Sequence, residues 1–249
     1  MGKNALFNFK DSQYQFNGRG ATMTLKQTLR IALDTAMTAL LLCAYNAQLA
    51  RETAHIFIGI AIFVLFSVHI FINRNWFETM FNGKYTPCRT AMTAINVLLA
   101  LAAVTMMITG ILEARWKAFL LQFEREITLR QIHTTTAYWF WLLIGVHLGL
   151  HWGIFTKFIG KNNSIITVMR ILACLFAAFG AWSFFDRDMF SKLFLGFSFD
   201  YWPQERPVVL FFAETLSIMG LFVFISYYFM KLNFWLKNRK SKTINGGFL

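Results

Sequence analysis

The sequence predicts an all-α polytopic membrane protein with about six transmembrane helices. Of its 249 residues, 57% are hydrophobic and only 14% are charged, whereas a soluble domain carries about 25% charged residues. The apolar residues also fall into six long blocks, each near the ~20 residues that a helix needs to cross a bilayer. Such blocks show little alternation of apolar and polar residues, which argues against a barrel. Helices satisfy their own backbone polar groups in lipid.

The six blocks divide the chain into four predicted parts. The blocks are 29–49, 54–73, 91–112, 132–155, 165–185 and 208–230. A polar cytoplasmic segment, 1–27, precedes a first block that is too long for a signal peptide, so we predict that this block is retained. Residues 28–156 hold the first four helices, and 157–231 hold two more with an aromatic-rich outer loop. A basic cytoplasmic tail, 232–249, ends the chain.

The net charge of +12 is explained by topology. If the N-terminus is cytoplasmic, most of the 24 Lys and Arg residues lie on the cytoplasmic side, and most of the 12 acidic residues lie outside. This is the positive-inside pattern for six helices with both termini in the cytoplasm. We therefore expect a membrane and its anionic lipids as partners, and no nucleic acid.

The histidines show the most specific pattern in the sequence. All five lie in two of the six blocks, and thirteen residues separate both His55 from His69 and His133 from His147. Fourteen residues of helix rise about 21 Å and turn within about 40° of four full turns. Each pair therefore projects from nearly one face of its helix, near opposite edges of the membrane. Ionisable residues in such helices usually face the protein interior.

These spacings predict two haem sites. The second and fourth helices run in the same direction, so His55 would face His133 near the outer surface and His69 would face His147 near the inner surface. Each facing pair can hold one haem iron by two axial nitrogens. The pattern predicts two b-type haems in a four-helix bundle, which would pass electrons across the membrane without bond-making chemistry.

His151 leaves the inner ligand open. It lies one turn beyond His147 on the same face, so it is an alternative ligand, a hydrogen-bond donor to a haem propionate, or part of a quinone pocket. His147 is preferred because its spacing matches that of the other helix. A different reading is that His147 and His151 bind zinc or copper as a pair one turn apart.

Each glycine and arginine near the histidines has two possible roles. Gly59 and Gly145 permit close approach of a haem, or they let helices pack against each other in the membrane. Arg51 and Arg130 lie at the outer ends of their blocks. They would pair with anionic haem propionates, or they satisfy the interface preference of any membrane protein.

Polar residues inside the blocks also have two readings. Asp34 lies in the first block and Glu214 in the last. Carboxyl groups in such positions carry protons in some membrane proteins, or they form a local hydrogen bond. Ligand histidines commonly have such partners, and Asp34 or Thr135 are candidates.

Two stretches resemble a known family. "RETAHIFIGIAIFVLFSVHIFINRNWF" (51–77) is similar to the second helix of the flavinylation-associated cytochromes, and "IHTTTAYWFWLLIGVHLGLHWGIF" (132–155) is similar to their later histidine helix. "LRIALDTAMTALLL" and "NVLLALAAVTMMITGIL" fit the helices that precede them. The resemblance covers roughly 27–156 and weakens over the last two blocks. The histidine doublet is also shared with cytochrome b and ferric-reductase-like proteins.

The resemblance implies a b-type cytochrome of the bacterial inner membrane. Its partner would be an extracytosolic protein that carries covalently attached FMN, and electrons would pass to or from that flavin. The alternatives are a quinone-linked or metal-reducing oxidoreductase subunit, and a membrane protein that binds metal without haem. The pattern leaves open whether the chain is itself an enzyme.

Overall fold

The fold is entirely helical in the residues that the computed structural model describes. These are 25–45, 52–82, 85–116, 123–153, 163–195 and 206–245. They form eight helices: α1 (Leu25–Tyr45), α2 (Glu52–Ile72), α3 (Asn75–Met80), α4 (Pro87–Trp116), α5 (Phe123–His151), α6 (Asn163–Asp186), α7 (Met189–Leu193) and α8 (Val208–Asn245). The predicted all-α class is confirmed.

Five of these helices are long and apolar enough to cross a membrane, counting only described residues. The segments are Thr28–Tyr45, Thr53–Ile72, Pro87–Glu113, Asn163–Asp186 and Val208–Asn233. The prediction of about six helices also included α5, which falls short on apolarity because it carries three histidines and the run Thr134–Thr136. Tyr138, Trp141 and Leu142 of α5 are buried. Packing against protein therefore suits α5, since its polar groups find partners there.

The chain forms two compact units, Met1–Tyr85 and Thr86–Leu249. In the first unit, α1 packs against α2. A hydrogen bond of 3.3 Å from Arg30 Nη2 to the carbonyl oxygen of Ile72 joins the start of α1 to the end of α2, so the two helices run antiparallel. Much of the apolar surface of α2 is exposed, with Phe57 and Phe71 about two-thirds exposed, as a lipid-facing helix requires.

In the second unit, α5 packs against both α4 and α8, and α6 packs against α8. The last two long helices thus belong to the same unit as α4 and α5. The four-helix bundle over 28–156 stays a prediction.

Two glycines set the distance between helices in the second unit. A Cβ on Gly149 of α5 would overlap Ser226 Oγ of α8, and one on Gly180 of α6 would overlap the carbonyl oxygen of Ser217, also on α8. Small residues at such contacts let helix backbones approach closely. Helix α8 is thus held between α5 and α6 by direct backbone contact.

Two helices extend beyond the apolar blocks that predicted them. The predicted basic tail is helical as far as Asn245, because α8 continues through residues 231–245, which contain neither glycine nor proline. Helix α5 begins at Phe123, well before the predicted start at 132. Most of the predicted N-terminal segment (1–24) and of the outer aromatic loop (196–205) lies outside the described residues.

The contact at Gly180 is testable. We expect Gly180→Ala to lower the stability of the protein by about 1–3 kcal/mol, because the added methyl group forces two backbones apart. The midpoint of thermal denaturation in detergent measures this change. Gly153→Ala is the matched control, since a Cβ there meets nothing within 4 Å. Equal midpoints for the two variants would contradict the assignment.

Candidate functional site

The first unit holds His69 through a carboxylate. His69 lies in the last turn of α2, and its Nδ1 is 2.8 Å from Asp34 Oδ1 on α1. Asp34 follows Arg30 by one turn, and Arg30 also contacts α2, so both residues lie on the side of α1 that faces α2. Asp34 was a candidate partner of a ligand histidine, and the structure brings it to His69.

The second unit holds His133 through α4. Nδ1 of His133 is 3.0 Å from Thr109 Oγ1 and 3.2 Å from the carbonyl oxygen of Met106. The two helices approach closely here, because a Cβ on Gly110 would lie 3.3 Å from His133 Cε1. The other candidate partner, Thr135, is not the residue in this contact.

His147 is held in the same way by the same helix. Its Nδ1 is 2.9 Å from Asn96 Oδ1. Asn96 and Thr109 lie nearly as far apart on α4 as His147 and His133 lie on α5. Because the helices are antiparallel, one helix supplies a partner for each histidine of the other.

These contacts determine which ring nitrogen can bind a metal. A carboxylate or carbonyl oxygen accepts hydrogen bonds, so the hydrogen of each imidazole lies on Nδ1 and the lone pair lies on Nε2. The hydroxyl of Thr109 donates to the carbonyl oxygen of Thr105 at 2.8 Å, which leaves its oxygen free to accept from His133. A neutral histidine anchored at Nδ1 is the usual form of a metal-ligating histidine. His69, His133 and His147 thus fit the donor set of a haem iron.

The other two histidines are placed at helix ends. His55 lies in the first turn of α2 and is half-buried. His151 is the last residue of α5, and its ring centroid is 4.8 Å from that of His147 with an angle of 51° between the planes. Among the described residues, no group of three or more His, Cys, Asp or Glu side chains could hold a metal ion.

The glycines and arginines that were candidates for haem contact have different surroundings. A Cβ on Gly59 would meet nothing within 4 Å, whereas one on Gly145 would lie 2.8 Å from the carbonyl oxygen of Met219 on α8. Gly145 therefore serves the packing of α5 against α8, the alternative that the sequence left open. Arg130 is exposed, and its Nε lies 3.4 Å from Glu113 Oε1. Arg51 lies outside the described residues.

A groove of about 410 Å³ lies between α5 and residues 193–195, where α7 ends. Thr135, Thr136 and Trp139 line it from α5, and Phe194 lines it from the other side. Trp139 Nε1 donates a hydrogen bond of 2.9 Å to the carbonyl oxygen of Leu193. The groove combines aromatic walls with two hydroxyl groups, one turn of helix from His133.

A cluster of charges lies at the same end of the second unit. Glu214 of α8 is fully buried, and Arg187 and Lys192 are 8% and 7% exposed. Arg206 Nη1 lies 3.9 Å from Glu214 Oε1 and 3.2 Å from Asp186 Oδ2. Glu214 stands out in the sequence because it lies in an apolar block, whereas the three cations lie outside the blocks.

Arg187 of this cluster makes two direct contacts with α8. Its Nη1 donates to Thr215 Oγ1 at 3.0 Å, and its guanidinium lies 4.6 Å from the centre of the Phe211 ring. These two contacts join the turn between α6 and α7 to α8.

No family model, curated protein or solved structure matches the chain. The class is therefore defined by the fold itself: this is an all-α, multi-pass membrane protein. Within it, three imidazoles have their Nδ1 atoms anchored on neighbouring helices.

The charge cluster yields a stability prediction. We expect Arg187→Met to destabilise the protein by about 1–3 kcal/mol, because the buried Thr215 hydroxyl loses its donor and the Phe211 ring loses its cation–π contact. Thermal denaturation of the variant measures this loss.

Lys231→Met is the matched control for Arg187→Met. Lys231 is exposed and lies 5.7 Å from the ring centre of Tyr228, so its loss should change stability by no more than about 0.5 kcal/mol. An Arg187→Met variant as stable as Lys231→Met would show that the cluster does not act as described.

Proposed function

We propose that this protein carries electrons across a membrane through two b-type haems. The observation that supports this most strongly is the shared state of His69, His133 and His147, each of which has Nδ1 bound to an acceptor on the preceding long helix. This leaves Nε2 of each ring available to a haem iron. When bound, the iron supplies a reversible one-electron change between its ferric and ferrous states.

The proposed ligands follow from spacing and hydrogen bonding together. His55 and His133 would hold the outer haem, and His69 and His147 the inner haem. His147 is preferred over His151 because its Nδ1 is anchored by Asn96, which fixes its tautomer. His151, whose ring lies beside that of His147, would contact the haem edge or a propionate.

The proposed setting follows from the charge distribution and the family resemblance. Both termini would lie in the cytoplasm, since that places most of the basic residues inside, and the membrane would be the bacterial inner membrane. The proposed partner is an extracytosolic protein with covalently bound FMN. The exposed outer end of α5, where Arg130 pairs with Glu113, is on the side that such a partner would approach.

Haem content tests this proposal directly. Protein purified after expression with ample haem should contain two b haems per chain in a pyridine haemochrome assay. His133→Leu should contain one, because the outer haem would lose one of its two proposed histidines, while His151→Leu should still contain two. Wild-type protein without haem but with bound zinc would overturn the proposal in favour of a non-haem metal site.

A second candidate function is supported by the groove beside His133. Thr135 and Thr136 offer hydroxyl donors and Trp139 offers a ring for stacking, which are the groups that bind a quinone headgroup. The chain would then be a quinone-linked oxidoreductase subunit.

Quinol oxidation distinguishes this second function. If the groove binds quinol, a soluble quinol should reduce the haems of the isolated protein, and Thr135→Val/Thr136→Val should slow the reaction by at least about tenfold, which corresponds to about 1.4 kcal/mol. Thr167→Val on the exposed face of α6 is the control. Equal rates in all three proteins would exclude the groove as a quinol site.

A further inference from the structure

The three anchored histidines differ in the charge of their acceptor. His133 binds a hydroxyl group and a backbone carbonyl, and His147 binds an amide oxygen. His69 binds the carboxylate of Asp34 at 2.8 Å. Of these three contacts, only the one at His69 carries a formal negative charge.

The position of Asp34 supports a specific role for this carboxylate. It lies inside an apolar helix, where a carboxyl group is costly without a partner. Among the described residues, the contact that the structure shows for the Asp34 carboxylate is the hydrogen bond from His69 Nδ1. Arg30, one turn earlier, directs its Nη2 to the carbonyl oxygen of Ile72. The carboxylate is thus directed at the imidazole.

We propose that Asp34 is a positioning residue that lowers the reduction potential of the haem held by His69 and His147. This inference rests on the proposed function. A carboxylate that accepts the Nδ1–H hydrogen bond increases the basicity of the ligand. A more basic ligand, and a negative charge nearby, both favour ferric over ferrous iron, since the ferric form carries more positive charge.

Asn96 occupies the corresponding place in the second unit. Asp34 on α1 and Asn96 on α4 each accept from a histidine on the following long helix, near the end that the charge distribution places in the cytoplasm. Asp and Asn have nearly the same shape and differ in charge. The two positions therefore allow an exchange of charge with little change in packing.

Exchanging the charge at these two positions should shift the reduction potential of one haem in opposite directions. Asp34→Asn should raise the potential of that haem, because the hydrogen bond persists and the charge is lost. Asn96→Asp should lower it, and the double variant should return it toward the wild-type value. Thr167→Val, on the exposed face of α6, is the control and should leave both haems at their wild-type potentials.

The measurement is spectropotentiometry of the purified two-haem protein. The absorption bands of the two haems are followed as the applied potential changes, and the haemochrome assay confirms that each variant still contains both haems. If Asp34 had a purely structural role, Asp34→Asn would change haem content or stability. Asp34→Asn and Asn96→Asp would then not shift the potential in opposite directions.

Each outcome decides the inference. An Asp34→Asn protein that retains both haems at wild-type potentials would overturn it, and so would shifts of two different haems by Asp34→Asn and Asn96→Asp. If Asp34→Asn loses haem, Asp34→Glu replaces it: a wild-type potential with this carboxylate supports the inference, and a raised potential overturns it. Absence of haem from the wild-type protein would instead overturn the proposed function.

Discussion

The hydrogen bond from a histidine Nδ1 to the neighbouring helix is the interaction on which the proposed site depends. Lipid offers no water to satisfy a ring N–H, so a histidine in a membrane helix needs an acceptor from the protein. Asp34, Asn96 and Thr109 meet this need for three different rings. Each bond also orients its ring and selects its tautomer. One interaction thereby answers a requirement of the membrane and a requirement of metal binding.

This requirement explains why each histidine helix is preceded by a helix with polar groups on one side. Helix α1 supplies Asp34 to α2, and α4 supplies Asn96 and Thr109 to α5. In both pairs the helices are antiparallel and adjacent in the chain, so the acceptor and the ring come from one hairpin. The two hairpins resemble each other in this arrangement and differ in the charge at Asp34 and Asn96. That single difference places a negative charge beside His69 and a neutral amide beside His147.

The second unit shows how a helix with many polar residues is kept among apolar ones. Helix α5 carries His133 and His147 on its contact with α4, while Gly145 and Gly149 lie against α8. Opposite sides of one helix thus serve the anchoring of two imidazoles and close packing. The buried cluster around Glu214 closes the end of the same unit, where α7 is held against α5 and α6.

The sequence by itself determined the all-α class, nearly all of the long helices and the histidine spacing, because apolar block length and helix periodicity are local properties. Asp34 could be singled out from sequence because a carboxylate in an apolar block is costly. Thr109 could not, because threonines commonly bond to their own helix backbone. Only the tertiary structure decided that Gly145 contacts α8, that α8 lies between α5 and α6, and which acceptor each ring receives. Those outcomes depend on which sides of the helices meet. When all sides of a helix are apolar, its sequence does not show which side contacts another helix and which contacts lipid.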